Sequence, residues 1–236
     1  MRDTVFKTTQ EHIVDFAFNE EVVAVFPDMI RRSVPGYETM IPVTGLLAAK
    51  ALGDEGVAYD LGCSLGATTL AILSQNTSDR VKIIGVDNST AMIDGAKNAV
   101  RDPRAEFRLA DINETSVAGA KVVVLNLVLQ FLTPEQREPL LQSLKCQMEP
   151  GGMILLSEKV SHEAEDLRTF YDETHLAWKA ANGYSALEIS QKRAALENVM
   201  RIDSEQTHIE RLESAGFSAV QQWYRCLNWA SFIAYA

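Results

Sequence analysis

The sequence has few cysteines and no long apolar run, and it has no excess of basic residues. Cys63, Cys146 and Cys226 are odd in number and widely spaced, a pattern that predicts no metal site and is typical of a reducing cytoplasm. No apolar stretch reaches the ~20 residues of a membrane-spanning helix, and the first residues lack the apolar core of a signal peptide. These absences predict a cytoplasmic protein without a metal or a membrane anchor.

The chain is acidic: 22 Lys and Arg stand against 32 Asp and Glu, a formal net charge of −10. Binding to a phosphate backbone needs clustered Lys and Arg. The densest basic groups are pairs such as Arg31-Arg32, which we interpret as a solvated helix face. The composition therefore predicts a small-molecule substrate and no direct binding of nucleic acid. A length of 236 residues, 47% of them hydrophobic, predicts one globular domain with an insertion.

The most informative segment, residues 57–66, is a short apolar strand followed by a glycine turn. Asp60 lies near the end of the strand, Gly62 and Gly66 form the turn, and helix-forming residues follow. A buried strand, a tight turn and a helix start allow the backbone to approach a nucleotide-like ligand. A second apolar run about twenty residues later ends in Asp87, where a carboxylate can accept hydrogen bonds from both ribose hydroxyls.

The spacing of the turn favours S-adenosylmethionine over a dinucleotide. The run Gly62-Cys63-Ser64-Leu65-Gly66 departs from G-x-G-x-x-G and shows no pyrophosphate cradle. Asp60 suits a cationic ligand, and S-adenosylmethionine carries a sulfonium and an ammonium but no phosphate. The segment resembles the D-x-G-x-G-x-G loop of class I S-adenosylmethionine-dependent enzymes, with Ser64 at the middle glycine. The alternative, a purely structural turn, is weakened by the spacing of Asp87.

Alternating strands and helices predict an α/β, Rossmann-like fold with a doubly wound, mostly parallel seven-stranded sheet. The predicted strands lie at 57–61, 81–86, 105–109, 121–127, 153–157, 218–224 and 227–235. The predicted helices include two within 19–52 that lie over the cofactor end, one at 134–148, two or three within 160–201, and one at 204–215. The single domain, 1–236, divides into N-terminal helices (1–53), a cofactor-binding core (54–158), a helical insertion (159–202), and a closing helix and strands (203–236).

Several longer segments resemble the carboxy-S-adenosyl-L-methionine synthases, which belong to the class I methyltransferase superfamily. These segments are residues 25–30, 32–37, 59–66, 123–131, 156–159, 181–185, 188–193 and 196–200. The similarity includes the helical insertion, which varies widely among ordinary methyltransferases. It implies an enzyme that converts S-adenosyl-L-methionine and prephenate to carboxy-S-adenosyl-L-methionine and phenylpyruvate. The product would supply 5-oxyacetyluridine formation at the tRNA wobble position through a separate tRNA carboxymethyltransferase.

The resemblance also implies site residues by motif position. Tyr37 matches a cofactor contact, and Arg193 matches the arginine that pairs with the added carboxylate, a catalytic role. The other implied cofactor-binding residues are Gly62, Cys63 and Ser64 under the methionine part, Asp87 and Asn88 at the ribose, Asp111 and Ile112 beside adenine, and Asn126 near the sulfonium. Asp60 is also predicted to bind the cofactor, because its negative charge suits a cationic ligand.

Five of these residues also have a structural interpretation. Asp111 is a candidate helix N-cap, Asn126 a partner for backbone groups, Tyr37 and Cys63 packing residues, and Arg193 an ion-pair partner of Glu188 or Glu197. His12, His162, His175 and His208 show no ligand spacing and indicate packing or surface roles, with a substrate contact as an alternative for His175. The apolar residues of the insertion, together with the resemblance, predict a homodimer.

Two other functions stay open. One is an ordinary methyltransferase that acts on oxygen of a small acidic metabolite. The run from Asn126 to Gln130 contains neither Asn-Pro-Pro-Tyr nor Pro-Cys, which weakens methylation of amines or pyrimidine carbon. The other is a non-catalytic subunit that binds the cofactor. The intact loop argues against loss of binding but does not bear on loss of chemistry.

Overall fold

The computed structural model describes residues 1–8, 16–197 and 199–236, without the side chain of Glu197. Its strands are β1 Gly56–Leu61, β2 Val81–Asp87, β3 Ala105–Leu109, β4 Ala120–Asn126, β5 Met153–Ser161, β6 Asp203–Ser204, β7 Ser218–Cys226 and β8 Trp229–Tyr235. Its helices are α1 Glu20–Ser33, α2 Tyr37–Leu52, α3 Ala67–Gln75, α4 Thr90–Ala99, α5 Pro134–Gln147, α6 Glu165–Ala181, α7 Ala186–Glu197 and α8 Glu205–Ser214, with a 3₁₀ turn at Leu129–Phe131.

The sheet has the strand order β3-β2-β1-β4-β5-β8-β7. The first five strands in this order run parallel, and β8 runs antiparallel to both of its neighbours. Because helices cover both faces, the central strands are apolar along most of their length. This arrangement confirms the predicted class I methyltransferase fold and its seven strands.

The structure departs from the sequence prediction at the edges of the insertion. Strand β5 continues four residues past its predicted end at 157, to Ser161. There its last residues pair with β6, which the sequence did not predict because two residues are too few to show an alternating pattern. Helix α1 lies at the carboxyl ends of the parallel strands, where it lines the cavity described below; this is the end of the sheet at which the sequence placed the N-terminal helices. Most of α2 instead packs on a sheet face, with Ala48 and Leu52 in the core.

The interpretation of Arg31-Arg32 as a solvated face is wrong for Arg32. Its side chain is buried, and its guanidinium lies 3.8 Å from the centre of the Tyr184 ring. The guanidinium also donates to the Asn182 carbonyl (2.8 Å) and to the Asp28 carboxylate (3.1 Å). Arg32 therefore ties α1 to the loop after α6, and it helps to hold the helical insertion against the N-terminal part of the chain.

Candidate active site

A cavity of about 860 Å³ lies at the carboxyl ends of the parallel strands. Open α/β sheets bind their ligands at this edge, where loops from neighbouring strands diverge. Helices α1, α6 and α7 contribute the outer walls. The cavity brings together the predicted site residues Tyr37, Gly62, Cys63, Ser64, Asp87, Asn88, Asp111, Ile112, Asn126 and Arg193. Asp60 is the predicted residue that does not line it.

The glycine turn after β1 is tied to the end of β2. The backbone N–H groups of Gly62 and Cys63 donate to the Val86 carbonyl at 2.8 and 3.0 Å. Gly62 has φ +72°, and Ser64 also takes a left-handed conformation, with φ +46°. Such a backbone favours glycine, and serine adopts it here at the position of the motif's middle glycine. The turn therefore presents backbone atoms, rather than bulky side chains, to the cavity.

Asp87 joins the turn to the next loop. Its carboxylate accepts hydrogen bonds from the backbone N–H groups of Ser64 and Ser89, each at 2.9 Å. Burial raises the pKa of Asp87, while these hydrogen bonds act in the opposite direction. A carboxylate has about four lone-pair sites, so these contacts leave room for a hydroxyl group of a ligand in the cavity.

Asp60 supports the site from beneath. It is buried, and one of its oxygens accepts hydrogen bonds from the Thr69 backbone N–H (3.0 Å) and hydroxyl (2.8 Å). Thr69 belongs to the first turn of α3, whose N–H groups have no partners within the helix. Burial raises the pKa of Asp60 to about 6. The structure thus gives Asp60 a capping contact with α3 instead of a place on the cavity wall.

Asn126 ends β4 with half of its amide unpaired. Its Nδ2 donates to the Thr68 hydroxyl at 2.9 Å, whereas its Oδ1 is buried without a hydrogen-bond partner in the described chain. The next residue, Leu127, has φ +62°, a strained conformation for a side chain of this kind. The bond to Thr68 does not fit the interpretation of Asn126 as a partner for backbone groups. Asn126 lines the cavity, and its buried Oδ1 is an unused acceptor at the end of β4.

The loop after β3 forms another part of the wall. The Asp111 carboxylate accepts from the backbone N–H of Asn113 at 2.8 Å and from its side-chain amide at 2.9 Å. Residues 112–114 form a turn and no helix starts here, so the N-cap interpretation of Asp111 is wrong. Ile112 is buried beside it and lines the cavity. The apolar side chain can pack on a flat ring of a ligand. The exposed carboxylate beside it can accept a hydrogen bond from an amino group of that ring.

A group of cations also lines the cavity, and of these the sequence predicted only Arg193. Lys159 follows the buried Glu158 on β5, and Lys179 and Lys192 come from α6 and α7. Burial lowers the pKa of all three, to about 8 for Lys179 and about 7 for Lys192. These lysines are far apart in sequence, and no local motif marks them as a group.

Two of the lysines have partners within the chain. The Lys159 ammonium lies 3.9 Å from an Asp172 oxygen. The Lys192 ammonium donates to the Ser33 hydroxyl at 2.8 Å and lies 3.8 Å from Asp3.

Arg193 is exposed to the cavity rather than paired with Glu188. The Glu188 carboxylate instead accepts from the Ser185 backbone N–H (2.7 Å) and hydroxyl (2.8 Å). The alternative partner, the Glu197 side chain, lies outside the described residues. A planar guanidinium on the cavity wall is suited to pair with a carboxylate in a bidentate manner.

The surroundings of Cys63 and of the described histidines support packing roles rather than catalytic ones. His175 lines the cavity, but its Nε2 is 2.9 Å from the Ser33 carbonyl and burial lowers its pKa to about 3, so its ring is neutral. Burial raises the pKa of the Cys63 thiol, which supports a packing role over a nucleophilic one. His162 stacks on Tyr171 and His208 packs near Phe232, whereas His12 lies outside the described residues.

Two further observations concern metal ions and membranes. Within residues 1–8, 16–197 and 199–236, no group of three or more His, Cys, Asp or Glu side chains could hold a metal ion. None of the described helices combines the length and the apolar character that crossing a bilayer requires.

Comparison with known proteins agrees with this geometry. A family model described as a methyltransferase domain matches residues 58–152. Among solved structures, human N-acetylserotonin methyltransferase in complex with S-adenosylmethionine superposes with a TM-score of 0.62 at 17% identity, covering 92% of this chain and 55% of that one. An O-methyltransferase family protein from Burkholderia thailandensis gives 0.66 at 15% identity, covering 92% and 60%. At these identities the likeness concerns the fold.

Two relatives match along their whole length. The carboxy-S-adenosyl-L-methionine synthase of Actinobacillus succinogenes is 46% identical over 237 residues, which is 99% of this chain and 98% of the relative. The synthase of Pseudomonas syringae pv. tomato is 45% identical over 240 residues, covering 98% and 97%. At this identity and coverage, the chain belongs to the carboxy-S-adenosyl-L-methionine synthase family.

Proposed function

We propose that this protein converts S-adenosyl-L-methionine and prephenate to carboxy-S-adenosyl-L-methionine, phenylpyruvate and water. One observation carries the proposal: a chain that matches the synthases along its full length contains a cavity lined both by a nucleoside-type cradle and by several cations. Such a group of cations in a protein of net charge −10 suits a small polyanion. Prephenate has two carboxylates.

The atoms of the reaction balance without a metal or a redox partner. Prephenate loses its ring carboxyl as CO2 and its ring hydroxyl, and the ring becomes aromatic. S-adenosyl-L-methionine supplies the sulfonium methyl, whose carbon gives up a proton and gains the CO2. We propose that the hydroxide released from prephenate takes this proton and forms water. Holding both reactants together in a cavity that excludes solvent favours capture of CO2 before it escapes.

The chain's own residues bind and orient the reactants. In this proposal the turn at Gly62 holds the methionine part, Asp87 accepts from the ribose hydroxyls, and the free oxygen of Asn126 faces the sulfonium end. Tyr37 packs beside the cofactor, and Arg193 pairs with the carboxylate that the product gains. A charge-assisted bond that exists only after carboxyl transfer favours retention of product over retention of substrate.

Mass spectrometry of the small molecules present after incubation with both substrates tests the proposal. A species heavier than S-adenosyl-L-methionine by one CO2, formed in step with phenylpyruvate, is expected. Formation of the demethylated cofactor in the presence of a small acid would instead support the methyltransferase alternative. Retention of unchanged S-adenosyl-L-methionine with no phenylpyruvate would support the non-catalytic subunit.

Replacing Arg193 tests its role separately. Arg193→Ala should lose carboxylated product and its retention while it still binds S-adenosyl-L-methionine, because Arg193 contacts only the added group. Arg168→Ala, a change at an exposed arginine of α6, is the matched control. Unaltered formation and retention of product by Arg193→Ala would contradict the assignment.

We also propose that the product serves 5-oxyacetyluridine formation at the tRNA wobble position, in the cytoplasm, through a separate tRNA carboxymethyltransferase. The cations described above lie in a cavity rather than on a broad surface, which supports a small-molecule product passed to another enzyme.

A homodimer built through the insertion is proposed from the exposed Leu167, Phe170 and Leu187 of α6 and α7. Gel filtration at micromolar concentration tests it, and a monomer there would contradict it.

A further inference from the structure

Lys179 is a buried cation whose ammonium has no partner in the described part of the chain. Its side chain lines the cavity, and only 7% of the residue's surface is exposed. In the described part of the chain its ammonium makes no hydrogen bond or ion pair, whereas Lys159 lies near Asp172 and Lys192 donates to Ser33. Burying an unpaired charge is costly, so a side chain in this state is typical of a site that a ligand completes.

Neighbouring positive charges increase the cost of burying the charge of Lys179. Burial lowers the pKa of Lys179, and the positive charges of Lys159 and Arg193 lower it further. The other charged and titratable groups that α1, β5, α6 and α7 place on the cavity lining are Arg31, Lys159, Asp172, His175, Lys192 and Arg193. Asp172 is the one carboxylate in this set, and its side chain is 56% exposed. Two more carboxylates approach these cations from outside the cavity lining, Asp3 at 3.8 Å from Lys192 and Glu38 at 3.5 Å from Arg31. Lys179 and Arg193 remain without a carboxylate partner in the described residues, so an entering anion would meet two positive charges that these residues do not neutralise.

The chemistry of decarboxylation indicates which part of the donor fits here. A carboxylate loses its negative charge as CO2 departs, so a cation that holds the reacting carboxylate stabilises the ground state and slows the reaction. The carboxylate of the 2-oxo-acid side chain is different, because it persists unchanged from prephenate to phenylpyruvate. A cation bound to that group anchors the donor without opposing the loss of CO2.

We propose that Lys179 binds the side-chain carboxylate of the donor and makes the site selective for a 2-oxo acid that carries a second, reacting carboxylate. This inference rests on the proposed function and adds a specificity residue to it. Arg193 and Lys179 then serve different groups. Arg193 pairs with the carboxylate formed on the cofactor, and Lys179 with the carboxylate that stays on the donor.

Steady-state kinetics of Lys179→Met and Lys179→Arg test the assignment. Loss of a hydrogen bond to a charged group predicts a KM for prephenate raised about 10- to 150-fold in Lys179→Met. The KM for S-adenosyl-L-methionine should not change, since the role proposed for Lys179 is to bind the donor and not the cofactor. Lys179→Arg should recover most of the affinity because it keeps the charge. Lys97→Met, at an exposed position on α4, is the matched control.

A binding measurement separates failure of this inference from failure of the proposed function. Phenylpyruvate carries the same side-chain carboxylate, and its affinity can be measured by calorimetry with S-adenosylhomocysteine present, without turnover. Weaker phenylpyruvate binding in Lys179→Met but not in Lys179→Arg supports the role of Lys179, even if the wild type makes no carboxylated product. Equal affinity in wild type and Lys179→Met would overturn it. Should Lys179→Met fail to fold, Lys179→Gln provides the same comparison.

Discussion

Replacing Gly62 by alanine would test whether the glycine turn shapes the cavity. Gly62 has φ +72°, and a Cβ added to it would lie 2.5 Å from Cγ2 of Val128 in the loop after β4. Val128 has little freedom to retreat, because its N–H donates to Glu158 at 2.9 Å and the preceding Leu127 is already left-handed. The substitution should therefore push the loops of β1 and β4 apart and disturb two walls of the cavity at once.

The size of the effect follows from two contributions. A left-handed backbone costs alanine about 1–2 kcal/mol, and overpacking at a rigid neighbour costs about 1–3 kcal/mol. Together they should lower Tm by about 4–20 °C, at about 2–4 °C per kcal/mol for a chain of this size. Displacement of the turn should also weaken binding of S-adenosyl-L-methionine by more than about tenfold, which corresponds to about 1.4 kcal/mol.

Gly119→Ala separates the steric contribution from the backbone contribution. Gly119 has nearly the same conformation, φ +73°, but nothing lies within 4 Å of an added Cβ. It precedes β4, at the opposite end of the sheet from the cavity. Thermal unfolding and calorimetry of both variants should show a smaller loss of stability in Gly119→Ala and an unchanged affinity for S-adenosyl-L-methionine. Wild-type affinity in Gly62→Ala, or equal losses of stability in both variants, would show that the contact with Val128 does not shape the cavity.

Two further predictions concern Asp87 and His208. Asp87→Ala should weaken S-adenosyl-L-methionine binding about 10- to 150-fold through loss of charge-assisted hydrogen bonds, measured by calorimetry, and Asp54→Ala at an exposed turn should not. Burial, and then the Arg211 guanidinium, lowers the pKa of His208 from 6.5 to about 4. The unfolded chain therefore binds the proton first as the pH falls, and the free energy of unfolding decreases between these two values. His208→Leu should lose less stability than wild type when urea unfolding is compared above and below this window, and equal losses would contradict the pKa assignment.

Local sequence predicted much of the fold. The apolar runs ending in Leu61 and Asp87 are strands because short β-branched segments bounded by turns bury well on both faces of a sheet. The helix after Thr133-Pro134 begins as predicted, with a reciprocal capping contact to Gln136. These features depend on neighbours a few residues apart, so they can be identified from one sequence.

The surroundings of single side chains differ from the prediction where parts of the chain that are far apart in sequence meet. Arg32 looks like a surface residue in its own helix, but it is buried by Tyr184 and the loop after α6. Asp60 has the charge expected of a cofactor contact, yet its carboxylate accepts hydrogen bonds from Thr69 of the following helix. In both cases the environment of the side chain is decided by packing that the local pattern does not contain.

The order of strands and helices, the glycine turn at Gly62 and the position of Asp87 could be inferred from the sequence, because each depends on spacing along the chain. Which cations share the cavity depends on tertiary packing. Lys159, Lys179 and Lys192 come from β5, α6 and α7, and they meet because these elements pack around one edge of the sheet. Whether each ammonium finds a carboxylate is likewise a matter of distance in space, and for Lys179 the described chain provides none.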